Sequence, residues 1–299
     1  MAPKPTDEKS NPYLLNQATI EILAPAKLNL LLKITGQRAD GYHELLSILV
    51  PVDLYDKLKI GKLEKGLEVY WSGRELPKGK DNLVNRAAVS FFEKTGIKEG
   101  AKIRVIKKIP VGSGLGGGSS DAAATLKGLN QLWGNPLSRE DVERLALPLG
   151  ADVPFFLVQR PSIAAGIGEK LQLIKDLPSF WYVIFSPNLM VSTAWAYKMV
   201  KLSLTNKDNH SSIEYLKRVI FNIPDILSND LESVTLSKYP FLCSIKASLI
   251  KLGAIGALMT GSGPSLFGLF DSAQKAREAG KMLVRQCRRG DVFVVKGLS

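Results

Sequence analysis

The sequence predicts an α+β protein built in two parts. Three observations predict it. The first seventy residues read mostly as strands, a glycine-dense segment sits between a strand and a helix near residue 115, and helices alternate with strands over the last sixty residues. Chains of 299 residues carry a substantial core and often divide into two domains.

Residues 20–33 are apolar and β-prone, with a polar interruption at Ala26-Lys27-Leu28-Asn29. Arg38-Ala-Asp-Gly41 signals a turn, after which residues 45–52, 57–60 and 67–70 read as strands. Asp81 or Asn82 is placed to cap a helix running to about Lys94, and Gly96 is placed to end it. Residues 102–109 form a strand leading into the glycines. Ser119 or Ser120 is then expected to cap a helix over 121–133, and Ser138-Arg-Glu-Asp141 resembles a capping box. Beyond about residue 168, a strand at 181–185 and helices at 193–199 and 212–221 are expected. The closing stretch reads helix 241–252, strand 255–259, strand 265–270, helix 273–287 and strand 291–295. The expected division is a disordered tail over 1–17, a first domain over 18–170 and a second over 171–299.

Composition narrows the function classes. Hydrophobic content of 45% and charged content of 23% are those of an ordinary globular protein, and no apolar run is long enough to span a bilayer. The first ten residues carry both charge signs and no apolar core, unlike a secretory leader. Cys243 and Cys287 form no metal-binding spacing, so no metal site is expected from them. They fit a reducing cytoplasm, packed as small apolar groups. The net charge of +12 is scattered, without the interleaved aromatics of a nucleic-acid strand binder. A generally basic surface compatible with phosphate ligands is the simpler reading, and no nucleic-acid or membrane partner is expected.

The segment Gly112-Ser-Gly-Leu-Gly-Gly-Gly118 is the most informative. Five glycines in seven positions cost backbone entropy inside a regular element, but they suit a backbone that approaches a ligand closely. Followed by a helix N-terminus, with its unpaired N–H groups and positive dipole end, they point to a phosphate cradle. The loop ends Gly-Ser-Ser and lacks the lysine of a Walker motif. Gly112, Gly114 and Gly117 match the dinucleotide fingerprint, but the acids about twenty residues on, Glu140, Asp141 and Glu143, fall inside an expected helix. Three further segments stand out. Lys27 and Asn29, two apart in a strand, share one face. Read alone, Lys27 is more simply an exposed edge-strand lysine. Asp152 in Gly150-Ala-Asp-Val-Pro-Phe-Phe156 is, read alone, a local cap or turn acid. Thr260-Gly-Ser-Gly-Pro264 is a second glycine loop that could line a cleft or form a tight turn.

In order, Pro25-Ala-Lys-Leu-Asn29, the stretch from Pro110 through Ser120, and Thr260-Gly-Ser-Gly-Pro264 resemble the three motifs of the GHMP kinase superfamily. Thr35-Gly-Gln-Arg-Ala-Asp-Gly-Tyr-His-Glu44 and Gly150-Ala-Asp-Val-Pro-Phe-Phe156 are similar to the branch that acts on a cytidine-diphosphate-linked methylerythritol. The resemblance spans nearly the whole chain after the tail. It implies a two-domain fold, with a ribosomal-protein-S5-like N-terminal domain and a ferredoxin-like C-terminal domain. It also implies transfer of the γ-phosphoryl of ATP to the substrate's 2-hydroxyl, in isoprenoid precursor biosynthesis.

The resemblance further implies roles for named residues. Asp152 would accept the hydroxyl proton or orient the hydroxyl, with Lys27 beside it. Pro110, Val111, Gly112, Ser113, Gly114, Leu115, Gly116, Gly117, Gly118, Ser119 and Ser120 would hold the ATP phosphates, and Asn82 would lie on the adenosine side. Tyr42 would stack on the cytosine and His43 would hydrogen-bond its edge. Thr193 and Tyr197 would complete the base site, with Trp195 as the other candidate for the second aromatic. Asn29 would reach the erythritol or phosphate end. Asp121 could serve magnesium or complement the helix dipole, and the second is preferred. Mg2+ would be held mainly through the ATP phosphates, with no metal ligand assigned to the chain. A cytoplasmic monomer or homodimer is expected.

Overall fold

Two long strands form the spine of the computed structural model, which describes residues 19–74, 82–200, 213, 216, 222–287 and 289–299. The expected tail, the candidate cap Asp81 and most of the expected helix over 212–221 lie outside them. Strand β1 (Thr19–Gln37) pairs antiparallel with β2 (His43–Leu63). In the turn between them, Arg38 N–H donates to the Tyr42 carbonyl and Gly41 N–H to the Arg38 carbonyl. The polar interruption at residues 26–29 does not end β1. Register shifts at Pro25/Ala26 and Asn29/Leu31 bracket it, so bulges absorb the irregularity and re-aim the side chains between them. The expected strands 45–52 and 57–60 are likewise one strand.

The first sheet adds β3 (Leu67–Gly73), β4 (Gly100–Lys107), β5 (Ser162–Gly166) and β6 (Lys170–Leu173). β4 joins β2, β3 runs parallel to β4, and β5 extends the other part of β2 with β6 beyond it. One face is covered by helices α1 (Leu83–Thr95), α2 (Gly117–Leu132), α3 (Arg139–Ala146) and α4 (Val153–Val158). Asn82 caps α1 by accepting from Val84 N–H, and Gly96 closes it in the left-handed conformation. The second sheet contains β7 (Trp181–Ser186), β9 (Gly256–Met259), β10 (Leu266–Phe270) and β11 (Asp291–Lys296), in the order β11-β7-β10-β9, all antiparallel. Helices α5 (Thr193–Met199), α6 (Ile223–Ile226), α7 (Glu232–Lys238) and α8 (Phe241–Lys251) lie between β7 and β9 in the chain, and α9 (Ala273–Gln286) lies between β10 and β11. This is the βαββαβ order of a ferredoxin-like unit.

The halves interlock. The free face of the first sheet packs on the second sheet, joining Leu28, Leu30 and Ile48 to Tyr182, Ile184 and Phe267. A short strand β8 (Ser228–Asn229), from the later half of the chain, adds parallel to β1. β1 is therefore an inner strand covered on both faces, and that explains its continuous apolar run. The edge-strand reading of Lys27 fails as well, since the residue is 3% exposed and its N–H donates to the Leu115 carbonyl of the glycine segment. The cysteines also depart from expectation. Cys243 is exposed and Cys287 is only partly buried. Among the described residues, no helix is long and apolar enough to cross a membrane.

A buried ion cluster ties β2, β4 and α2 together beneath the glycine loop. The Lys107 ammonium bonds the carboxylates of Asp56 and, at 2.7 Å, Asp121. The second Asp56 oxygen accepts from Lys108 N–H at 2.6 Å and Ile109 N–H at 2.9 Å. The helix-dipole role expected of Asp121 is not realised. α2 starts at Gly117, so Asp121 lies past the first turn and spends its charge on Lys107. Burial alone would lower Lys107, but its two carboxylates outweigh that and hold it above the usual lysine range. Burial pushes the Asp121 carboxyl up to about 7, with Lys107 opposing and Asp56 adding. Asp56 has every oxygen satisfied, whereas Asp121 Oδ1 has no hydrogen-bond partner among the described residues.

The sign of the pH effect follows. Between the ordinary carboxylate range and about 7, the folded chain holds a proton that the unfolded chain has released, so stability falls as pH rises through that window. Asp121→Asn, neutral at every pH, should flatten this fall. Urea unfolding from about pH 5 to about pH 8 measures it, and equal slopes in both proteins would refute the assignment.

Candidate active site

The two glycine loops meet over β1. In the first, Gly116 sits at φ 73° and opens α2. A Cβ there would lie 2.7 Å from the Phe156 ring and 3.0 Å from Lys27 Cγ, so only glycine fits. The reversal at Gly116 lets the helix wind from Gly117, earlier than the expected Ser119 or Ser120 cap, and brings Gly117, Gly118 and Ser119 into its first turn. Their N–H groups have no intrahelical acceptor. The loop's carbonyls are instead tied back into the protein. Gly112 O accepts from Val191 N–H, Ser113 O from Ser265 N–H, and Leu115 O from Lys27 N–H at 3.0 Å. Three separate elements thus hold the loop in one shape. The second loop passes close by, and a Cβ on Gly114 would come within 2.2 Å of the Thr260 carbonyl.

A cavity of about 1000 Å³ lies between these loops, α1, α5 and the 38–43 turn. Lys27, Asn29 and Asp152 line it together with Asn82, Tyr42, His43, Thr193, Tyr197, Pro110, Val111, Gly112, Ser113, Gly114, Gly116, Gly117, Gly118 and Ser119. Two members of the expected loop do not. The Leu115 side chain is fully buried in the core, and the buried Ser120 hydroxyl has no hydrogen-bond partner among the described residues.

At the cavity floor, the Lys27 ammonium lies 3.8 Å from Asp152 Oδ2 and donates to Asn29 Oδ1. Asp152 occupies the cap position of α4, but its side chain makes no capping bond. It faces Lys27 with 39% of the side chain exposed to the cavity. Burial pushes the Lys27 ammonium below the usual lysine range, and Asp152 opposes that shift. The pair therefore offers a carboxylate open to a ligand beside a cation that cannot leave.

At the other end, His43 and Tyr197 stack, with ring centroids 5.3 Å apart. Tyr42 is 61% exposed at the lip. Thr193 Oγ1 lies 3.1 Å from Ser262 Oγ, joining α5 to the second glycine loop. Trp195, the other candidate aromatic, is instead covered by the Lys238 ammonium at 3.9 Å and does not line the cavity. Burial and the Asp152 charge raise the Tyr197 phenol above its ordinary value. Sequence reasoning missed Lys107 and Ser47, which also line the cavity, and named the loop that bears Ser262 without assigning that residue a role. Ser47 carried a signal, being the lone polar residue in the run Leu45-Leu-Ser-Ile-Leu-Val50.

Comparison with known proteins follows this geometry. The family models described as GHMP kinases N terminal domain and GHMP kinases C terminal match residues 82–160 and 209–289. A 4-diphosphocytidyl-2-C-methyl-D-erythritol kinase of Syntrophotalea carbinolica is 44% identical over 87% of this chain and 93% of its own length. One of Geobacter metallireducens is 42% identical over 93% and 97%. A crystal structure of 4-(cytidine 5'-diphospho)-2C-methyl-D-erythritol kinase superposes with a TM-score of 0.80 at 36% identity, covering 94% of this chain and all of that one. The mevalonate kinase of L. major, at 17% identity and TM-score 0.73, shares the fold. The chain belongs to the 4-diphosphocytidyl-2-C-methyl-D-erythritol kinase family of the GHMP kinases.

Proposed function

We propose that this chain transfers the γ-phosphoryl group of ATP to the 2-hydroxyl of 4-diphosphocytidyl-2-C-methyl-D-erythritol, a step in isoprenoid precursor synthesis. The observation that carries the reading is the Lys27–Asp152 pair, set 3.8 Å apart on the floor of a cavity that also holds a helix-opening glycine loop and an aromatic pair. The division of labour follows the cavity. The glycine loop and the first turn of α2 hold the phosphates, with Asn82 on the adenosine side. Tyr42, His43, Thr193 and Tyr197 take the cytidine end. The methylerythritol hydroxyl lies at Asp152.

Phosphoryl transfer asks mainly for positioning and charge neutralisation. Asp152 accepts a hydrogen bond from the substrate hydroxyl and takes its proton as the oxygen attacks phosphorus. Lys27 keeps the carboxylate aimed and offsets the negative charge gathering between the two substrates. Mg2+ would be held mainly through the nucleotide phosphates rather than by the chain, and would supply charge neutralisation there. Among the described residues, no group of three or more His, Cys, Asp or Glu is arranged to hold a metal. The first domain contributes most of the site and the second contributes α5 and the Thr260 loop, with a boundary near residue 170. The enzyme works in the cytoplasm as a monomer or homodimer, in keeping with its two unpaired cysteines.

A coupled ADP-release assay with the cytidylyl substrate tests the reaction, and a wild-type rate no higher than background would sink it. Asp152→Asn should lower kcat by roughly 10²-fold or more. Undiminished turnover in that variant would remove Asp152 from the chemistry. Tyr197→Leu should raise KM for the cytidylyl substrate about tenfold through lost stacking, while KM for ATP changes little. An equal change in both KM values would dissociate Tyr197 from the base.

A further inference from the structure

We infer that Ser47 and Thr260 are positioning residues for Lys27, acting through the side-chain amide of Asn29; this rests on the reaction proposed above. The hydrogen bonds run in one direction only. Ser47 Oγ donates its single proton to the Leu31 carbonyl at 2.6 Å, and that carbonyl can only accept. The Ser47 oxygen is left as an acceptor, and it takes a hydrogen from Asn29 Nδ2 at 2.9 Å. This fixes the orientation of the amide. With Nδ2 committed to Ser47, Oδ1 must face Lys27, and it accepts from the ammonium there.

Thr260 closes the arrangement from the other half of the chain. Its oxygen accepts from Asn29 N–H at 3.0 Å, and its proton reaches Asn29 Oδ1 at 3.3 Å. All four side chains are buried: Lys27 is 3% exposed, Asn29 4%, Ser47 1% and Thr260 0%. At such burial a lost partner leaves a polar group unpaired, which is costly. Were the amide turned over, its NH₂ would face the ammonium with no acceptor between them. Asn29 is thus an adaptor that converts one backbone carbonyl of β1 and one hydroxyl of the second glycine loop into an oriented acceptor beneath Lys27.

The arrangement predicts a kcat effect without a matching KM effect, because both hydroxyls are committed within the protein, to Asn29 and the Leu31 carbonyl. In the ADP-release assay, Ser47→Ala should lower kcat about tenfold or more, with both KM values within about twofold. Ser47→Thr, which keeps the hydroxyl, should recover most of that loss. Thr260→Val, close in shape to threonine, should reproduce the defect, and Thr260→Ser should relieve it. Thermal unfolding of each variant separates a folded slow enzyme from an unstable one, and if Ser47→Ala does not fold, the Thr260 pair carries the test. The inference is overturned if Ser47→Ala and Thr260→Val keep kcat within about twofold of wild type, or if the hydroxyl-retaining variants lose as much as the others. Absent wild-type turnover would count against the reaction itself. Wild-type turnover with unaltered variants would count against the positioning alone.

Discussion

A lysine ammonium buried in an inner sheet strand is the constraint on which the rest of the site depends. Removing such a charge from water is costly unless it is paired and hydrogen-bonded. Among the described residues, Lys27 meets that demand with one carboxylate 3.8 Å away and one amide oxygen, a sparse set for three N–H donors. The backbone geometry around it follows. Gly116 lies against its stem because a side chain there would collide with it, and a Cβ on Gly261 would stand 3.2 Å from its Nζ. Both glycine loops are shaped around this one side chain as much as around a ligand.

The second buried lysine shows what full pairing looks like. Lys107 shares two carboxylates, is held above its ordinary range, and binds β4 to β2 and to α2 directly under the loop. A Cβ on Gly117 would lie 2.8 Å from its Nζ, so the first turn of α2 rests on that ammonium. Lys107 is an anchor whose charge is spent inside the protein. Lys27 keeps part of its charge available at the cavity floor, beside a carboxylate that remains partly exposed. The two lysines are alike in burial and differ in how completely they are neutralised, and that difference separates a structural charge from one a reaction can use.

The two halves of the chain are inseparable at this point. β8 adds to the first sheet, the sheets share a core, and the Thr260 loop reaches across to Asn29. Thr193 is tied to Ser262 of the same loop, so the helix bearing Tyr197 and the floor bearing Lys27 are referred to one segment. A change in how the halves pack would therefore reach both ends of the cavity.

Local chemistry made much of this legible in the sequence. Asn82, Gly96 and Ser138 end or open helices through bonds within a few residues, so their roles needed no knowledge of the fold. Period two put Lys27 and Asn29 on one face, and glycine density marked the loop. The motifs together carried the family, and through it the residues of the cavity. Tertiary structure decided what depends on partners far apart in the chain. Lys27 reads as an edge residue until the glycine segment around Leu115 folds over it, takes its N–H and buries it. Asp121 reads as a dipole acid until the start of α2 at Gly117 carries it past the first turn, where Lys107 takes its charge. Ser47 goes unread in the sequence, and Thr260 reads only as the start of a glycine loop, until folding sets them on either side of Asn29. The sequence by itself determined the elements and the chemistry on offer, because capping, periodicity and glycine freedom are local. Only the packed fold decided which charges are buried and which partners they find, because desolvation and hydrogen-bond direction depend on groups that the chain brings together from a distance.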